Sequence, residues 1–173
     1  MVMDKCGSSI KKLLDQNRGE KFSKAWITRL AIMLIREIEK IHRCGIIHGN
    51  IKPGSIMYHT TTYHDVDGIP QTCKPSVYMV DFSHAEEYLS DGKHVEQVDN
   101  VKFNGQPRYA SVSKHKGFSQ SRKDDLESIG YVLMHLLLGK KNLPWMGQSR
   151  SHTSSFETIM KYKELPLKPH FQK

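Results

Sequence analysis

The sequence predicts one mainly α domain with a few short β-strands. Three observations carry this expectation. Residues 23–45 repeat apolar side chains at helical spacing, and residues 125–138 are apolar at almost every position. The β-prone runs between them are short and are set off by glycine and proline. A chain of 173 residues fits one domain with one sizeable core, and 25% charged with 38% hydrophobic residues is a globular composition.

The first element is a short helix over Ser8–Gln16, capped by Ser8 or Ser9, with Ile10, Leu13 and Leu14 on one side. A longer helix follows, with Ser23 as N-cap. Its apolar stripe of Ile27, Leu30, Leu34, Ile38 and Ile41 runs toward Gly45, a natural stop. Ile46-Ile47 and Ile56-Met57-Tyr58 read as small strands around a polar turn containing Pro53-Gly54. Residues 60–75 read as a loop insertion, because Gly68, Pro70 and Pro75 interrupt a polar stretch. Ser76–Val80 is a β-type run that delivers Asp81 at its end, and Phe82–Lys123 reads as a long, partly ordered segment without a sustained period. The last predicted helix spans Asp125–Leu138, with Asp124 or Asp125 as cap, Gly139 as stop and burial on all sides. Residues 165–173 read as a weakly structured tail.

Several function classes are disfavoured by composition. The longest apolar-rich stretch, Ala25–Ile41, carries Arg29, Arg36, Glu37 and Lys40, so no membrane partner is expected and the default location is cytoplasmic or nuclear. Cys6, Cys44 and Cys73 show neither zinc nor disulfide spacing. A net charge of +8 favours anionic partners, yet no aromatic-interleaved basic run points to nucleic acid, so the expected partner is a protein.

A helix, a polar loop between two small strands and an acidic residue ending a third strand form a constellation with a known likeness. His48-Gly49-Asn50-Ile51-Lys52-Pro53-Gly54-Ser55 and Asp81-Phe82-Ser83 resemble the protein kinase catalytic loop H-R-D-x-K-x-x-N and the D-F-G that follows it. Met1–Leu14 resembles a kinase hinge and the helix after it. Arg108-Tyr109-Ala110-Ser111, the run Ser121–Tyr131 and Leu143-Pro144-Trp145 resemble the casein kinase 1 group, and the His-Gly form of the loop is most similar to the vaccinia-related kinases. The resemblance implies a kinase-like C-terminal lobe over residues 1–164, with the N-terminal lobe, its phosphate loop and its strand lysine absent from this chain.

Position by position, the resemblance implies a damaged site. The loop aspartate that accepts the substrate hydroxyl proton is Asn50, and the metal-binding asparagine is Ser55. Lys52 and Asp81 match, Asp81 as the magnesium ligand; nucleotide contacts are implied at Asp4, Cys6 and Met57. An amide cannot take up a proton near neutral pH, which removes a contribution of about 10² to 10⁴ in rate, or about 3 to 5 kcal/mol of barrier. Ser83 replaces the D-F-G glycine. The expectation is therefore no cofactor, or Mg-ATP held weakly. The architectural positions match: His48 stacked on Phe82, and Asp125 accepting hydrogen bonds from the loop backbone. An anion pocket is implied at Arg108, Gly147 and Lys161, where a basic side chain beside backbone amides binds phosphate. The reading is a catalytically inactive pseudokinase that docks acidic or phosphorylated proteins. The alternative is an ATP-dependent serine/threonine kinase with an atypical catalytic loop.

Overall fold

The computed structural model describes residues 7–18, 20–60, 62–64, 67, 70–72, 74–139, 143–145 and 152–165. It is helical with a few short strands. Strand β1 (Ser8–Ser9) leads directly into helix α1 (Ile10–Gln16), because the Ser9 side chain accepts the Lys12 amide at 3.1 Å and starts the helix there. Helix α2 (Lys24–Arg43) starts in the same way from Ser23. It buries Ile27, Leu30, Leu34 and Ile38 along one face and ends on Gly45, which sits at φ +78°.

Two further strands, β2 (Ile46–Ile47) and β3 (Ile56–His59), flank the 48–55 loop. Residues 60–75 are not a plain loop. Strands β4 (Thr62–His64) and β5 (Pro70–Thr72) pair antiparallel there, a ladder that rests on backbone hydrogen bonds and so leaves no apolar alternation in the sequence. Strand β6 (Ser76–Met79) closes a three-stranded antiparallel sheet in the order β1-β3-β6, with Ile56 opposite Met79. Val80 then donates its amide to Ser55 O at 2.9 Å, which fixes Asp81 beside the loop.

The segment expected to be only partly ordered is more regular than its sequence suggests. Strand β7 (Glu86–Glu87) pairs with β2, β8 (Leu89–Ser90) and β9 (Lys93–His94) form a hairpin, and Ser111 caps the short helix α3 (Val112–His115). Helix α4 (Arg122–Leu138) begins three residues before the expected start. Its N-cap is Ser121, whose amide donates to Asp124 Oδ2 at 2.7 Å; Asp124 is therefore the third helical residue and Asp125 is free to point elsewhere. Helix α5 (His152–Glu164) has no counterpart among the elements expected from sequence.

The core lies where α2, α4 and the sheet meet. Leu30, Leu34, Ile38, Ile56, Val132 and Leu136 are almost wholly shielded from water. No described residue of α4 from Ile129 to Leu138 is exposed, so this helix passes through the middle of the domain. Among the described residues, no helix is long and apolar enough to cross a membrane.

Candidate active site

The 48–55 loop is hung from one buried carboxylate. Asp125, in the first turn of α4, accepts the amides of His48 at 2.8 Å and Gly49 at 2.9 Å, one on each oxygen. His42, where the apolar stripe of α2 ends, contacts the same carboxylate at 2.9 Å through Nε2. The His48 ring is buried, and loss of water holds its pKa below the usual value, with the Val80 contact opposing. A neutral ring fits its two contacts: Nδ1 accepts from Asn50 N at 3.3 Å, while Nε2–H donates to Val80 O at 3.1 Å. Phe82 packs on this ring with centroids 5.0 Å apart, although 46% of Phe82 is exposed.

Gly49 is the tightest point of the loop. It adopts φ +73°, and a Cβ there would stand 2.4 Å from His84 O, so only glycine lets the segment after Asp81 lie against the loop. Lys114, buried on α3, donates to Gly49 O at 2.8 Å and holds the other side.

Asn50 is buried between these walls. Its Nδ2 is 3.4 Å from His84 Nδ1, and its Oδ1 would stand 3.0 Å from a Cβ on Gly105. Ser55 is fully shielded. Its hydroxyl accepts the Lys52 amide at 3.0 Å, and its hydrogen faces Lys52 O at 3.0 Å and Asn50 O at 3.5 Å, which ties the Pro53-Gly54 turn shut. Lys52 Nζ reaches across to Asp81 Oδ2 at 2.7 Å, and Ser83 Oγ donates to Asp81 Oδ1 at 2.7 Å. The hydrogen bond from Lys52, followed by that from Ser83, holds the Asp81 carboxyl down at about 2. Asp81 itself has φ +68°, a strained conformation for a residue with a side chain.

A cleft of about 310 Å³ opens beside the loop. Lys11, Asp15, Lys52, Gln106 and Arg108 contribute its polar wall, with Tyr109 and His135 at its base. Three of those groups are cations and one is a carboxylate.

A protein kinase domain family model matches residues 1–173. The chain belongs to the protein kinase domain family. Within this kinase domain the structure brings His48, Asn50, Lys52, Ser55, Asp81, Phe82 and Asp125 together around one loop, and sets Arg108 across the neighbouring cleft. Met57 is half-buried on β3, opposite Ser9 and Tyr78. Asp4, Cys6 and Gly147 lie outside the described residues. Lys161 is exposed on α5, two residues before the buried Lys163 and so roughly 200° around the helix from it. It is Lys163 that reaches the segment carrying Arg108, donating to the carbonyls of Pro107 and Ala110.

The two positions at which the resemblance implies metal contacts differ in fit. The Ser55 hydroxyl does not fit a metal ligand, because it has no exposure and is used up inside the turn. The ionised Asp81 fits a single-carboxylate contact to a cation carried on phosphates, in competition with Lys52. Among the described residues no group of three His, Cys, Asp or Glu side chains forms a metal cage.

Four residues of the site are not among those the sequence singles out. His42, His84, Lys114 and Lys163 are polar residues in segments whose role depends on contacts far along the chain, from Asn50 to His84 and from Lys114 to Gly49. Only the interruption of the α2 stripe at His42 is a usable signal, since a polar group ending a buried face needs a partner.

Proposed function

We propose that this kinase domain is the large lobe of a casein kinase 1 or vaccinia-related type that no longer transfers phosphate and serves as a docking module for acidic or phosphorylated proteins. The observation that carries the reading is Asn50: the proton-accepting position holds a buried, uncharged amide already engaged with His84. Ser55 supports it, because a hydroxyl locked inside its own turn leaves the second metal without a ligand. A docking role is supported by the net charge of +8 and by Lys11, Lys52 and Arg108 around one cleft. Mg-ATP is bound weakly if at all.

Titrating the protein with Mg-ATP in a thermal-shift assay tests the loss of reaction. A ligand at a hundred times its dissociation constant adds about 2.7 kcal/mol of stability, and no such saturable gain is expected here. Saturable stabilisation with phosphate transfer that Asp81→Ala abolishes would overturn the reading. The ionised Asp81 in contact with Lys52 at 2.7 Å favours that second possibility, a weakly active serine/threonine kinase. For docking, Arg108→Glu is expected to weaken binding of a phosphoserine peptide about tenfold, near 1.4 kcal/mol, with the melting temperature unchanged. An unaltered affinity removes the docking role.

A further inference from the structure

Lys163 lies near the end of α5 with its side chain turned inward, and only 8% of it is exposed. Its ammonium donates to Pro107 O at 2.9 Å and to Ala110 O, and stands 4.4 Å from the centroid of the Tyr131 ring and 5.4 Å from that of Trp145. The Trp145 indole N–H donates to Arg108 O at 3.0 Å. Three carbonyls of one turn, those of residues 107, 108 and 110, are thus held by three donors from outside it: the Lys163 ammonium, the Trp145 indole and the His115 ring, whose Nε2 is 3.0 Å from Pro107 O. The side chains of the turn leave in other directions: Arg108 lines the cleft, and the Tyr109 hydroxyl meets His135 Nδ1 at 2.7 Å.

Packing alone does not call for a charge here. Buried ammonium groups are normally paired with a carboxylate, whereas Lys163 has no ion pair among the described residues. Glu127 raises its proton affinity from beyond ion-pair distance, and its Oε1 takes the Tyr131 hydroxyl at 2.6 Å and the Val112 amide at 2.9 Å. A methionine would fill the same space between the rings without desolvating a cation, and it could not hold the carbonyls.

We propose that Lys163 is the positioning residue of the anion-docking turn: its ammonium, with the Trp145 indole, fixes the backbone of residues 107–110 so that Arg108 is presented to the cleft. This rests on the docking reading above and adds a control to it. Burial lowers the Lys163 pKa to about 7, so the clamp is charged below neutrality and loses its charge as pH rises. The groups facing Lys163 are His115 on α3, 3.4 Å from Nζ, and Tyr131 and Glu127 on α4. His115 is pushed down to about 4, chiefly by burial, and Tyr131 is pushed up, chiefly by burial, so neither changes charge between pH 6 and pH 9.

The test uses the full chain and an N-acetylated, rhodamine-labelled peptide rich in glutamate, which does not titrate in this range. By anisotropy, wild-type affinity is expected to fall about tenfold between pH 6 and pH 9, near 1.4 kcal/mol. Lys163→Met should bind weakly at every pH, whereas Lys163→Arg, whose guanidinium stays charged, should bind with a flat profile. In a Trp26→Phe background, Trp145 emission should titrate near pH 7 and cease to do so in Lys163→Met. Wild-type behaviour in Lys163→Met, or no titration of Trp145, overturns the proposal. Should Trp145 titrate while the wild type binds no acidic peptide, the clamp stands and the docking reading falls. If Lys163→Met does not fold, the contrast between wild type and Lys163→Arg decides: matching pH profiles overturn the clamp.

Discussion

The 48–55 loop has a buried underside and a solvent edge, and they are held by different kinds of contact. Underneath, the Asp125 carboxylate takes two main-chain amides, and the Lys114 ammonium takes a main-chain carbonyl. At the edge, side chain meets side chain: Lys52 on Asp81 and Ser83 on Asp81, with the buried Asn50 reaching out to His84. The underside needs only the backbone of residues 48 and 49, so it tolerates any residue at position 50 that fits the space. Phosphate transfer needs particular atoms at the ends of two side chains, and those positions carry Asn50 and Ser55. A loop held this way can keep its shape whether or not the side chain at position 50 supports chemistry.

The largest loss is expected at Asp125. Asp125→Ala leaves two buried amides and His42 without their acceptor, and is expected to cost about 3 to 5 kcal/mol. Urea unfolding measures this directly, and a loss under about 1 kcal/mol would mean that the loop is not hung from this carboxylate. Gly49→Ala comes next. A methyl group 2.4 Å from His84 O at φ +73° forces loop and edge apart, at about 1 to 3 kcal/mol. An unchanged melting temperature would show that the two segments do not depend on close approach.

Helices α1, α2 and α4 were legible because the capping serines and the periodic burial of Leu30, Leu34 and Ile38 are local signals. The start of α4 was misplaced because two adjacent aspartates both look like caps; the backbone gives the cap to Ser121 and sends Asp125 to the loop. The β8–β9 hairpin turns through Asp91-Gly92, both at positive φ, a short signal submerged in a polar segment. At the site, the loop residues could be read in order because they are contiguous. Lys114 and Lys163 could not, since a lysine that reaches a carbonyl 65 or 56 residues away looks in sequence like any other surface lysine.

The smallest expected effect sits at the edge. The Asp81 carboxyl is held at about 2, below the roughly 3.9 of an unfolded aspartate. A depressed carboxyl favours the folded state above about pH 4 and loses that contribution as pH falls from about 4 toward about 2. The Asp81 side chain is 39% exposed and its Lys52 partner 23%, so solvent screening leaves the pair about 1 kcal/mol or less at neutral pH. Lys52→Met is therefore expected to lose that small amount at pH 7, and progressively less in acid as Asp81 takes up its proton. Urea unfolding of wild type and variant at pH 7 and below pH 4 checks both the size and the sign. A loss at pH 7 as large as that of Asp125→Ala would make the edge as structural as the underside, and Lys52 would then be present for the fold of the loop and not for a phosphate.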